Sequence, residues 1–309
     1  MPRIAVILCT RNPRPDYLER VLRALREQTL PRSQWEFCLV DSASDAPLSE
    51  VLGLLWHPSA QIVRVEQPGL TPARLAGFAA TTADLIVLVD DDNVLAPDYL
   101  EQAVAIGEQY TWLGAWGGNV QLIFEEEPPV WLHRYRHLLA ERKVYQIRWS
   151  NDYLHAPVPC GAGMVVRRQV AEAYRRATVE DPARQELDRS GDSLLSDGDT
   201  DLALMACDLG LGLGAFPMLG LQHLIPARRL TLDYIVELHA AMIASGLTLR
   251  ALRPETEDEL FAHEGTLPQL RRWAHWWRGS REDRIIQRTG HEARLDTLSR
   301  LYAQGLLDD

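Results

Sequence analysis

The chain has 309 residues, 46% of them hydrophobic and 24% charged, with a formal net charge of −11 at pH 7; this length supports one large α/β domain or two modest ones. The acidity argues against nucleic acid or an anionic membrane as the principal partner, because both select a basic footprint. Lys143 is the single lysine among 32 basic residues, and Cys9, Cys38, Cys160 and Cys207 show neither a CxxC pair nor metal-ligand spacing, so buried, reduced thiols are expected.

The first residues, "MPRIAVILCTRNPRP", carry one charge and then an apolar run of six, short for a signal peptide or a membrane span. No other stretch reads as a continuous apolar span of about 18 residues. The expectation is a soluble, cytoplasmic protein. "IAVILCT" reads as a buried strand, and the segment after it places Leu18, Val21, Leu22 and Leu25 on one helical face. "FCLVD" and "QIVRVE" are further strands, "TPARLAGFAATT" is a helix with proline in its first turn, and "LIVLVD" is a fourth strand. Apolar strands separated by helices predict a mostly parallel sheet covered on both faces, with ligands beyond the carboxyl ends of the strands. Thr10, Arg11, Asp41 and the triplet Asp90, Asp91 and Asp92 all follow such runs. They are expected to share one crevice.

The triplet stands directly against the apolar strand "LIVLV". Adjacent carboxylates repel, and an unpaired buried carboxylate costs several kcal/mol or is driven neutral. A cation that visits the strand end would resolve this; three solvated aspartates capping a helix that starts near Pro97 would do so too. Farther on, "WLGAWGGNVQLIF" reads as a glycine-containing strand, Val130 to Glu141 as an aromatic-rich helix, "VPCGAGMVVRR" as a glycine-interrupted strand and "DTDLALMACDLG" as a helix opened by aspartates. Beyond Leu230 the pattern is helical. In "LRRWAHWWRGSREDRIIQR", Trp273, Trp276 and Trp277 fall on one helical face among arginines, suited to packing against the catalytic domain or a sister subunit, or to a membrane interface and a lipid-linked acceptor.

Seven patterns in order, "CTRN", "LVDSAS", "PGLTPARLAGF", "LVDDDNVLAPDYL", "CGAGMVVRR", "SDGDTDL" and "LQHLIPARRLT", resemble the inverting family 2 glycosyltransferases with the GT-A fold, over about residues 3 to 232. The resemblance implies an α/β, Rossmann-like GT-A domain over 1–230, with a nucleotide-binding half to about 112, an acceptor half over 113–230 and a helical extension over 231–309. It implies a nucleotide-diphosphate sugar as donor, UDP-linked by preference, and a glycan, lipid-linked or other hydroxyl acceptor. Mg²⁺ or Mn²⁺ would lie between the acidic site and the donor's phosphates. Asp92 would bind that cation, Asp90 the ribose or the metal's water shell, and Asp91 would support the turn. His223 would complete the metal shell or touch the diphosphate, and Arg228 and Arg229 are available to brace the phosphates.

By the same resemblance Asp41, Thr10 and Arg11 contact the nucleoside and Arg74 lies beside the base or diphosphate, with a helix-surface ion pair as its alternative. Leu75 stands where family members often carry Asn. In "SDGDTDL" Gly198 and Asp199 replace the usual Glu-Asp pair, so Asp199 is the matching general base, with Asp197 and Asp201 as rivals. Gly161 and Gly163 permit close backbone approach to a sugar, the strand with Ala162 would line the sugar and acceptor pocket, and Trp131 or Trp116 is available for stacking. Two other classes use similar features: a non-catalytic nucleotide-sugar or glycan-binding module, and a nucleotidyltransferase or phosphotransfer enzyme with the same acidic pocket.

Overall fold

The computed structural model describes residues 2–153, 157–189, 191, 193–253 and 279–307. Trp273, Trp276 and Trp277, and with them the interfacial or packing role expected of that segment, lie outside the described residues.

Strands β1 (Ile4–Thr10), β2 (Trp35–Ser42), β3 (Ala60–Val65) and β4 (Leu85–Asp90) lie in parallel, in the order β3-β2-β1-β4. The helices between them are α1 (Pro15–Arg26), the short α2 (Leu48–Val51) and α3 (Leu70–Ala80). Alternate residues of β1 face opposite sides: Ile4, Val6 and Leu8 join one core with Leu18, Val21, Leu22 and Leu25 of α1, while Ala5, Ile7 and Cys9 join a second with Ala73 and Phe78 of α3. Both faces are therefore dry, which explains the continuous apolar runs. Chain order turns back between β1 and β4, where Cys9 registers against Asp90, so a crevice opens beyond their carboxyl ends.

The sheet continues through β8 (Val165–Arg167), β6 (Leu113–Phe124), β9 (Gly212–Ile225) and β5 (Asn93–Leu95), with β7 (Arg148–Ser150) also on β9. β6 and β9 are parallel to each other, while β5, β7 and β8 run antiparallel to their partners. The long β9, which periodicity does not announce because Gly212, Gly214, Pro217 and Gly220 interrupt it, carries His223 opposite Asn93. The helices α4 (Tyr99–Gln109), α5 (Arg168–Glu180) and α6 (Gly198–Asp208) cover the two faces.

Two expected elements differ. The helix expected over Val130 to Glu141 is a pair of 3₁₀ turns, Val130–Arg134 and Arg136–Leu139, the second ending on Ala140 in the left-handed region at φ 65°. "CGAG" precedes β8 rather than belonging to it: Gly163 has φ +73°, and its carbonyl accepts a 2.6 Å hydrogen bond from the Tyr99 hydroxyl.

The helical extension consists of α7 (Leu232–Ala251) and α8 (Arg281–Ala303) in the described residues. By length and composition α7 could cross a membrane, with a mean hydropathy of 1.2, although Asp233, Glu237 and Arg250 break it into shorter apolar runs. In this fold Ile235 and Leu238 pack with Ile286 of α8, and Leu249 enters the second sheet core. The boundary drawn at residue 230 thus crosses a packed interior.

A methyl group on Gly163 would lie 2.6 Å from both the Tyr99 hydroxyl and Leu221 Cδ2, in a backbone conformation that L residues avoid, whereas one on Gly53 would meet open space. Gly163→Ala is expected to cost about 1–3 kcal/mol in chemical denaturation, and Gly53→Ala to leave stability within about 0.5 kcal/mol of the parent. Equal stability of the two variants would contradict the packing described.

Candidate active site

A cleft of about 410 Å³ opens at the carboxyl ends of β1 and β4. Thr10, Arg11, Arg74, Asp90, Asp91, Asp92, Gly161, Ala162, Asp199 and His223 all line it. Asp41 and Trp131 do not.

Asp41 is 1% exposed and turned into the β2–α2 loop. One oxygen accepts from the Ser44 amide at 2.9 Å; the other accepts from the Leu48 amide at 3.0 Å and from Arg64 at 2.9 Å. These bonds, opposed by burial, hold its carboxyl below the usual range. Asp41 shapes the loop beside the cleft, next to Ser42, which lines it. Trp131 packs near Tyr135, at 6.4 Å between ring centroids, in the cluster beneath the 3₁₀ turns. Trp116 is fully buried in the sheet core. Trp116 therefore has no face free for a sugar, and half-buried Trp131 stands outside the cleft lining.

The acidic strand end is held by local bonds. Thr10 donates its hydroxyl to Asp91, whose pKa is pushed up to about 7 by burial and by the charge of Asp92. Burial, then Asp92, also raises Asp90. Asp92 goes the other way: burial opposes its charged form, but His223 when its ring carries both protons, and Arg229 in either case, pull its pKa well below the carboxylate range. One Asp92 oxygen accepts from the Asn93 side chain at 2.8 Å. The other lies 3.1 Å from Arg229 Nη1 and 3.4 Å from His223 Nε2.

His223 is oriented by its second ring nitrogen. Nδ1 lies 2.9 Å from the Leu139 carbonyl, an acceptor left over at the end of a 3₁₀ turn. A carbonyl can only accept, so Nδ1 carries the proton and, in the neutral ring, Nε2 presents its lone pair to Asp92 and the cleft. An imidazole tied back to a carbonyl, beside a carboxylate oxygen, has the chemistry of a metal-binding pair. The pair fits a divalent cation that completes its shell with substrate phosphates and water. Among the described residues no cluster of three such side chains could hold a metal unaided.

Arg74 and Asp188 form the cleft floor. Both side chains are 4% exposed, and they pair at 2.9 Å. Burial alone would lower the Arg74 pKa, but Asp188, Asp199 and Asp90 outweigh it and raise it above the ordinary value. The surface ion pair weighed for Arg74 is excluded by this burial. Asp188 itself is pushed up, first by burial. Sequence reasoning missed Asp188 because it stands among polar residues with no periodic element to mark it; its partner Arg74 gives no sequence clue to a residue so far along the chain.

Asp199 sits in the first turn of α6, one oxygen accepting from the Gly161 amide and the other from its neighbour Thr200 at 2.9 Å. A methyl group on Gly161 would lie 2.7 Å from Arg74 Nη2 and 2.9 Å from Asp199 Oδ2. This glycine is therefore required by the arginine and the aspartate beneath it, whatever approaches from above. Asp201 is withdrawn from the cleft: fully buried, it pairs with Arg184 at 2.6 Å and Arg253 at 2.9 Å. Asp197 lines the cleft, accepts from Ser245 of α7 at 2.5 Å and is raised by burial.

The sequence matches the family described as Glycosyl transferase family 2 over residues 5–175. The chain belongs to this glycosyltransferase family. No curated protein matches it. A crystal structure of S. aureus TarS 1-349 shares the fold at a TM-score of 0.52 and 13% identity, over 99% of this chain and 92% of that one. A crystal structure of S. aureus TarS aligns at 14% identity and a TM-score of 0.48, over 82% of this chain. The chain spans 40% of that longer protein. The match to the glycosyltransferase family ends within α5, so Asp188, Asp199 and His223 reach the cleft from beyond it.

Arg74→Met would leave Asp188 buried without its partner. The variant is expected to lose about 3–5 kcal/mol at pH 7.5. Without Arg74 the folded-state pKa of Asp188 rises further above its unfolded value, so the folded state holds the extra proton and the deficit against the parent shrinks as pH falls towards 5.5. Denaturation curves of both proteins at the two pH values check this; a deficit that grows on acidification would contradict it.

Proposed function

We propose that this glycosyltransferase moves a sugar, with inversion, from a nucleotide-diphosphate sugar to a hydroxyl of a glycan or lipid-linked acceptor, with a UDP-sugar as the preferred donor and Mg²⁺ or Mn²⁺ as cofactor. The observation behind this reading is convergence. Asp92 from the end of β4, His223 from β9 and Asp199 from α6 are far apart in sequence and line one cleft at the switch in strand order.

Asp92 and His223 would hold the cation, which would supply positive charge against the diphosphate as the bond to the sugar breaks. Thr10, Asp91 and Asp90 shape the adjoining wall, with Arg11 at the rim. Asp199 accepts the proton of the attacking hydroxyl; each of its oxygens has a lone pair beyond the backbone amide it already serves. Asp197 is the less available base, because its carboxylate is taken up by Ser245 and burial keeps more of it protonated. One base acting on the acceptor implies direct displacement, hence inversion at the anomeric carbon. The acidic chain and its unpaired thiols support a place in the cytoplasm, where nucleotide sugars are at hand.

Asp199→Asn is expected to keep the rise in melting temperature produced by UDP with Mn²⁺ and to lose about 10²–10⁴-fold in transfer. Asp197→Asn should lose less than about tenfold. Coupling at the new anomeric proton by NMR should report the configuration opposite to the donor's. Near-normal turnover of Asp199→Asn, or a retained configuration, would contradict the mechanism.

A further inference from the structure

Arg229 occupies the place where the proposed cation would be felt most. It sits in the 3₁₀ turn Ala227–Leu230 that follows β9. Its Nη1 lies 3.1 Å from Asp92 Oδ2 and 3.3 Å from His223 Nε2, and these two acceptors are 3.4 Å from each other. One N–H donor group thus serves both atoms of the metal-binding pair. The side chain is 13% exposed. Its Nε is buried and has no hydrogen-bond partner among the described residues. Arg228 beside it is exposed and does not line the cleft.

We propose that Arg229 is a resident counter-ion: it holds Asp92 and His223 while no divalent cation is present and must leave both for one to bind. This rests on the reading of Asp92 and His223 as the cation pair. A divalent ion bonds a carboxylate oxygen and an imidazole nitrogen at about 2.0–2.2 Å. His223 Nε2 has a single lone pair, which cannot bond a metal and accept from a guanidinium at once, and beside Asp92 Oδ2 the two positive charges repel across a poorly solvated wall. Occupancy by arginine and by metal is therefore mutually exclusive, and the arginine sets a threshold for the metal.

The turn is built for a side-chain swing rather than unfolding. The Ala227 amide is fixed to Glu125 at 2.8 Å, the Arg229 amide to the Pro226 carbonyl at 2.9 Å, and Thr231 caps the start of α7. Arg74 offers a contrast, since it is 4% exposed and locked to Asp188. Nε has no partner among the described residues and so adds no bond of its own to hold the guanidinium in this position when a stronger cation competes.

Titration of the metal-free protein with Mn²⁺ alone, followed by calorimetry and by loss of the free-ion EPR signal, tests this without any turnover. Arg229→Gln is expected to bind Mn²⁺ at least about fivefold more tightly than the parent, the lower end of usual coupling between sites, and Arg228→Gln to match the parent. The rise in melting temperature on adding Mn²⁺ should be larger for Arg229→Gln, because its Asp92 is left unpaired until the ion arrives. Arg229→Lys, which keeps the charge but carries it as a compact, more strongly hydrated ammonium on a different stem, should fall between parent and Arg229→Gln and serves if the glutamine variant does not fold. Unchanged or weaker Mn²⁺ binding by Arg229→Gln, with Asp92→Asn deficient, would overturn the displacement alone. Mn²⁺ binding by Asp92→Asn equal to the parent's, or none by any variant, would overturn the cation pair with it.

Discussion

The fold is organised around the need to stabilise carboxylates crowded at one end of a sheet. Asp90, Asp91, Asp92, Asp188, Asp197 and Asp199 all face a single cleft, where their mutual repulsion is poorly screened. Each is stabilised differently. Arg74 lies in the floor among Asp188, Asp199 and Asp90; Arg229 and His223 hold Asp92; Thr10 bonds Asp91; backbone amides serve Asp199. Asp90 and Asp91 are pushed towards neutrality where Asp92 is held charged. Negative charge is thus concentrated on the residue that stands beside His223.

Several elements follow from that arrangement. Gly161 is glycine because Arg74 and Asp199 pass under it. The Leu139 carbonyl, exposed by the end of a 3₁₀ turn, fixes His223. The helical extension contributes Tyr234, Leu238 and Met242 to the cleft wall, and its Ser245 bonds Asp197. The extension is therefore part of the site, not an appendage to it.

The parallel half of the sheet was legible because its strands are buried on both faces and read as unbroken apolar runs, and because α1 keeps strict helical spacing through Leu25. The acidic triplet was legible because charge against such a run demands a partner. Asp188 was not, since its significance depends on Arg74, brought to it only by the fold. Asp41 was legible only in part: its position at a strand end is visible in sequence, but the turn towards the Ser44 and Leu48 amides is a property of the loop. Trp131 and Trp116 show that an aromatic residue does not reveal from composition which face it takes. Asp201 could be set apart from Asp199 only once Arg184 and Arg253 were seen beside it.

The central claim is that Asp92 and His223 form the cation pair of a nucleotide-sugar site. A crystal of the full chain grown with UDP and Mn²⁺, with anomalous data collected above and below the manganese absorption edge, tests it directly. The account predicts a manganese peak bonded to the Asp92 carboxylate and His223 Nε2, with Arg229 turned away from both. UDP bound in the cleft with no manganese between these residues, and Arg229 still donating to Asp92, would contradict it.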